Sequence, residues 1–206
     1  MQVLLAKSAG FCFGVNKAVN AVYDLLDAGE KVATLGPIIH NPQLVEKLQK
    51  RGVTIVESPR EVKKDTVLVI RSHGVPKSVY QEIADYGVRM YDATCPFVGK
   101  IHRIVAEKSA AGHHVYIAGN AGHPEVMGIC GHCEGTYTVF STPDELSKKL
   151  ENSKNAADDA VIMVAQTTYN TISWKKCVEI LKKHYTNPLI FDTICNATAE
   201  RQGEAI

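Results

Sequence analysis

The chain has 206 residues and a mass of 22.5 kDa, room for one large domain or two small ones. Hydrophobic residues make up 45% and charged residues 22%, which excludes disorder, collagen-like repeats and coiled coil as whole-chain readings. A net charge of +1 argues against a general polyanion-binding surface, though it leaves room for a local patch, and no nucleic-acid partner is expected.

In chain order, the first apolar run, Met1-Gln-Val-Leu-Leu-Ala-Lys7, is too short for a signal-peptide core and has no cleavage site after it. No later stretch approaches the roughly 20 apolar residues of a membrane span. A cytoplasmic protein with no membrane partner is therefore expected. In that compartment its six cysteines are thiols, metal ligands or core fillers rather than disulfides. Strands are expected at Val3–Ala6, Val32–Leu35, Thr54–Val56, Val67–Ile70 and Met90–Asp92. Further strands follow at Val115–Ala118, Thr138–Phe140, Val161–Val164 and Leu189–Phe191. Between them lie helical patterns, such as Val15, Val19, Val22 and Leu26 on one face. Repeated β-then-α units predict an α/β fold of parallel sheets with covering helices, whose ligand crevice forms where strands end and helices begin.

The unusual residues fall at such junctions. Cys12 stands in Ser8-Ala-Gly-Phe-Cys-Phe-Gly14 and His40 in Gly36-Pro-Ile-Ile-His-Asn-Pro42. His73 is in Arg71-Ser-His-Gly-Val-Pro76, and Cys95 in Asp92-Ala-Thr-Cys-Pro96. His123 and Glu125 share Gly119-Asn-Ala-Gly-His-Pro-Glu125. Thr167 and Thr168 follow a strand, and Cys195 lies in Asp192-Thr-Ile-Cys-Asn196. His102, His184 and Cys177 sit within helical patterns and serve as internal controls. Asp92-x-x-Cys95 and Asp192-x-x-Cys195 form a weak repeat, each after a strand and before a helix. If Cys12, Cys95 and Cys195 each open a unit, the expected division is residues 1–94, residues 95–193, and the start of a third unit at 194–206, the remainder of which is absent.

A helix N-terminus favours thiolate, the form that binds metal. Three isolated cysteines suit an iron–sulfur cluster in which one iron lacks a protein ligand and can act as a Lewis acid. Zinc on three cysteines and three buried small hydrophobes are the other readings. Cys130-Gly-His-Cys133 has redox or zinc half-site spacing, but no second half-site completes it, and these two cysteines are expected to be incidental. Each His loop places a proline close behind its histidine, where the first turn of a helix needs no N–H. Three such loops can hold one phosphorylated ligand, or are simply polar loops. Glu125 is either a proton donor or a carboxylate at a helix start. Thr167 and Thr168 either cap the helix beginning near Asn170 or touch substrate. Walker and dinucleotide fingerprints are absent.

Ala9-Gly-Phe-Cys-Phe-Gly14, Gly36-Pro-Ile-Ile-His-Asn-Pro42, Arg71-Ser-His-Gly74 and Asp92-Ala-Thr-Cys-Pro96 resemble motifs of the LytB/IspH family. So do Gly122-His-Pro-Glu125, Gln166-Thr-Thr168 and Ile194-Cys-Asn-Ala-Thr198, and the motifs come in the family's order along the whole chain. The resemblance implies three pseudo-symmetric α/β units around a central [4Fe-4S] cluster, ligated by Cys12, Cys95 and Cys195. It implies that His40, His73 and His123 bind a diphosphate, that Glu125 delivers protons, and that Thr167, with Thr168 beside it, contacts substrate. The implied reaction is reductive dehydroxylation of 4-hydroxy-3-methylbut-2-enyl diphosphate to isopentenyl and dimethylallyl diphosphates. Electrons would come from ferredoxin or flavodoxin. The family's third unit follows the last cysteine, and Gly203 interrupts its Arg-Gln-Glu-Ala pattern, at a cost of about 1 kcal/mol relative to alanine in a helix. The alternative is an inactive fragment that keeps the fold and partial phosphate or cluster binding.

Overall fold

Short β-branched runs alternate with amphipathic segments. The computed structural model, which describes residues 6, 9–153, 157–197, 200 and 204, turns these into two compact α/β units that divide within one helix, at residues 99 and 100. The first unit holds α1 (Phe13–Asp27), β1 (Lys31–Leu35), α2 (Pro42–Lys50), β2 (Thr54–Val56), a 3-10 turn at Pro59–Glu61, β3 (Thr66–Ile70), α3 (Lys77–Asp85) and β4 (Met90–Asp92). Helix α4 (Pro96–Ala110) leads into the second unit. There follow β5 (His114–Ala118), α5 (Pro124–Cys130), β6 (Tyr137–Phe140), α6 (Pro143–Glu151), β7 (Val161–Ala165), α7 (Thr171–His184) and β8 (Leu189–Ile190).

Among the described residues, each unit carries a four-stranded sheet in which every pairing is parallel, with strand orders β2-β1-β3-β4 and β6-β5-β7-β8. The inner strands β3 and β7 are buried at every position, as a parallel strand covered on both faces must be. Their side chains divide with a period of two. In the first unit, Val32 and Val69 pack with Val19, Val22 and Leu48, while Ala33, Leu68 and Ile70 pack with Val75 and Ile83. In the second, Val115, Ile117, Ile162 and Val164 pack with Ile101, Val105 and Ile129. Tyr116, Met163 and Ala165 pack with Leu146, Trp174 and Leu181 on the other face.

The expected strands from Val32–Leu35 onward all form, within one residue at each end. The expected strand at residues 3–6 falls almost entirely outside the described residues, as does Gly203. Pro42 and Pro124 open their helices, but Pro76 differs. Its ψ of 151° is extended, so it stands as the N-cap and Lys77 is the first helical residue. Neither Thr167 nor Thr168 caps α7. Asn170 does, its side chain accepting the Ser173 N–H at 2.8 Å. Asn170→Ala is expected to cost about 1 kcal/mol in a urea titration, with Thr168→Ala close to neutral.

Candidate active site

In the first unit, Cys12 and Cys95 each immediately precede a helix. Cys12 is the N-cap of α1 in extended conformation, and its side chain makes no capping bond. The Cys95 N–H donates to the Ser72 carbonyl at 3.0 Å, and its own carbonyl accepts the Gly99 N–H at 2.9 Å as α4 begins. Asp92 holds the approach to Cys95. One carboxylate oxygen accepts the Thr94 N–H at 2.9 Å, and the other accepts the Tyr80 hydroxyl at 3.0 Å. Burial pushes the Tyr80 phenol up to about 12, so it stays a donor. Gly14, in the first turn of α1, lies against the Cys95 thiol. A β-carbon there would stand 2.6 Å from Cys95 Sγ.

His40 ends the loop after β1, and His73 lies in the turn after β3, which closes through Gly74 N–H to Arg71 carbonyl at 3.0 Å. Gly74 has φ +68°, which glycine adopts without strain. The two imidazole centroids are 5.1 Å apart. The first unit thus brings two of the expected histidines together at one end of its sheet.

The second unit repeats this plan. His123 is the N-cap of α5, and its Nδ1 accepts the Glu125 N–H at 3.1 Å. That bond puts the proton of the neutral ring on Nε2, leaving Nε2–H as a donor. Glu125 is 2% exposed. One of its oxygens accepts the Thr167 N–H at 2.6 Å and the other the Thr167 hydroxyl at 2.8 Å. Burial raises the Glu125 carboxyl above its ordinary value, and the two Thr167 bonds only partly oppose this. The Thr167 carbonyl in turn accepts the Cys195 N–H at 2.8 Å. Glu125 and Cys195 are therefore joined through one residue. Thr168 is exposed, and its hydroxyl accepts from Gln166 Nε2 at 3.1 Å.

The internal repeat is sharper in space than in sequence. Ser72 and Thr167 each stand two residues past the inner strand and each hold a cysteine N–H. The Asp192 carboxylate accepts the Ile194 N–H at 3.4 Å, as Asp92 accepts from Thr94. Gly36 and Gly119 N–H groups both bond across to the neighbouring strand, to Val56 and Phe140. His40 and His123 follow these glycines by the same spacing. Residue-type reasoning missed Gly14, Ser72 and Arg71. The offsets from Asp-x-x-Cys back to the preceding strand were the available signal.

The remaining cysteines behave as core thiols. Burial pushes Cys130 up to about 11 and Cys133 up to about 12, and the Cys133 thiol donates to the Ile129 carbonyl at 3.6 Å. Cys177 is buried among the α7 core residues. Of the control histidines, His102 is buried mid-helix and stacks on His132 at 4.1 Å, and His184 is the last residue of α7. Among the described residues, no helix is long and apolar enough to cross a membrane.

Comparison with known proteins bears on the same residues. A family profile described as LytB protein matches residues 3–206. The 4-hydroxy-3-methylbut-2-enyl diphosphate reductase of Thermoanaerobacter sp. (strain X514) is 40% identical over all of this chain and 70% of its own length. The enzyme of the same name from Clostridioides difficile (strain 630) is 37% identical over all of this chain and 72% of its own. A solved structure of (E)-4-hydroxy-3-methyl-but-2-enyl diphosphate reductase superposes with a TM-score of 0.83 and 36% identity, covering 98% of this chain and 71% of that one. The Plasmodium falciparum reductase structure, 24% identical, shares the fold with a TM-score of 0.86 over 94% of this chain and 61% of its own. With Cys12, Cys95 and Cys195 all at helix starts, and the profile and both relatives spanning nearly all of the sequence, the chain belongs to the LytB family of 4-hydroxy-3-methylbut-2-enyl diphosphate reductases.

Proposed function

We propose that this chain carries the reductive dehydroxylation of 4-hydroxy-3-methylbut-2-enyl diphosphate, in which a C–OH group, two electrons and two protons give a C–H group and water. The products are isopentenyl and dimethylallyl diphosphates of the non-mevalonate route. The observation that carries this reading is the chain of bonds from Glu125 through Thr167 to Cys195. It ties a buried carboxyl, whose burial favours the protonated form, through one residue to a candidate ligand loop.

The donor set suits an iron–sulfur group: three soft thiols, none in a disulfide, each at the start of a helical segment. Cys12, Cys95 and Cys195 would hold a [4Fe-4S] cluster with one iron lacking a protein ligand. When bound, the cluster would supply single electrons and a Lewis-acid position for the substrate hydroxyl. The chain's own residues do the rest. His40, His73 and His123 donate to the diphosphate. Glu125 delivers a proton toward the leaving oxygen, oriented by Thr167, and Thr168 offers a hydroxyl at the same strand end. Electrons come from ferredoxin or flavodoxin, and Cys195 opens a third unit.

The test is anaerobic reconstitution with iron and sulfide, followed by turnover of the allylic diphosphate with reduced viologen. A brown protein that converts substrate is the expected result. A brown protein that binds substrate without turnover would leave the binding-only fragment, and a colourless zinc-loaded protein would overturn the cluster assignment.

A further inference from the structure

Gly36 stands beside Arg71 in the first sheet as Gly119 stands beside Gln166 in the second. The registers Thr34 to Val69 and Ala118 to Ala165 run on to these pairs. At both places the neighbouring side chain lies across the glycine. A β-carbon on Gly36 would meet Arg71 Nη1 at 2.8 Å, and one on Gly119 would meet Gln166 Oε1 at 3.0 Å.

Gln166 serves as a neutral clamp with both ends satisfied. Its Oε1 accepts the Asn120 N–H at 3.3 Å, and its Nε2 donates to Thr168. Arg71 holds the same position with a permanent charge. Its Nε is buried and has no hydrogen-bond partner among the described residues. Burial pulls the guanidinium below the ordinary arginine range, and the opposing carboxylate, Glu57, is exposed. Desolvating a charge is costly where an amide meets the same structural need. The charge therefore has a use the sheet does not require. Its surroundings indicate that use: the Arg71 backbone opens the turn bearing His73, and its side chain crosses the start of the loop bearing His40.

We propose that Arg71 is the fixed positive charge of the anion end of the site, a positioning residue that draws a diphosphate toward His40 and His73. The inference rests on the diphosphate reading given above. Arg71 adds a permanent positive charge beside the hydrogen bonds that the two imidazoles can donate.

The test is calorimetric binding of inorganic pyrophosphate to reconstituted protein, with KM for the allylic diphosphate beside it. Arg71→Gln installs the side chain that the second unit uses at this position. It is expected to weaken pyrophosphate about tenfold and raise KM similarly, with kcat, iron content and circular dichroism unchanged. Arg71→Lys should recover most of the loss. The wild-type affinity should fall more steeply with added salt than that of Arg71→Gln. Equal affinity of wild type and Arg71→Gln overturns the inference alone, as does Arg71→Lys as weak as Arg71→Gln. Wild-type protein that binds neither pyrophosphate nor substrate overturns the diphosphate reading and the inference with it.

Discussion

Cys12→Ser, Cys95→Ser and Cys195→Ser are each expected to lose cluster iron on anaerobic reconstitution, while Cys133→Ser keeps the wild-type iron content. Gly14→Ala is expected to behave like the cysteine variants although it removes no sulfur. The alanine β-carbon would stand 2.6 Å from Cys95 Sγ and 3.0 Å from Cys95 Cβ. The first is far inside van der Waals contact and the second is tight, so the thiol must swing or the α1 N-terminus must move. The Cys95 backbone is not free to follow, because its N–H is held by Ser72 and its carbonyl starts α4. The strain falls on the sulfur, the one atom a metal needs in place. Cys133 differs because burial keeps it protonated and its thiol is already hydrogen-bonded. Iron and acid-labile sulfide per chain, with the visible absorption, give the result. Equal iron across all the variants would refute the ligand assignment, and a fully loaded Gly14→Ala would refute the steric argument alone.

The sheets were legible because parallel strands buried on both faces are written as short runs rich in β-branched residues, such as Thr66-Val-Leu-Val-Ile70, too short for a buried helix. The candidate site was legible by residue type and by position after strands, which named Cys95, His123 and Glu125 individually. What was not legible was who holds whom. Thr167 has the composition of a helix cap, yet its N–H and hydroxyl both go to Glu125, because Asn170 already serves the α7 N-terminus at the right spacing. Such a choice is made by an approach across 42 residues, and local pattern carries no trace of it. Gly14 was invisible for the same reason. A glycine in a first helical turn has no local meaning until the thiol packed on it is known.

Glu125→Gln is expected to keep the fold and the cluster but lose about 100-fold or more in turnover, the lower range for a positioned proton donor. The substitution is nearly isosteric, and the surroundings accept it. The glutamine carbonyl can take the Thr167 N–H, and its NH2 can donate to a reoriented Thr167 hydroxyl. The Thr167 carbonyl then still holds Cys195, so iron content should not change. What is lost is the proton. Burial raises the Glu125 carboxyl, so it stays protonated to higher pH than in the unfolded chain. That difference has a signed consequence for stability. Below the ordinary value of 4.5 both states are protonated and the contribution is fully present. As pH rises from there, the unfolded chain gives up its proton first, and stability falls until the folded carboxyl has also ionised. Glu125→Gln removes that slope because an amide does not ionise. Urea titrations of both proteins from pH 4 upward should therefore start close together and separate, the wild type losing stability relative to Glu125→Gln as pH rises, while single-turnover rates separate them at every pH. Unchanged turnover would take Glu125 out of the proton path. A parallel pair of stability profiles would show that its burial does not set its protonation.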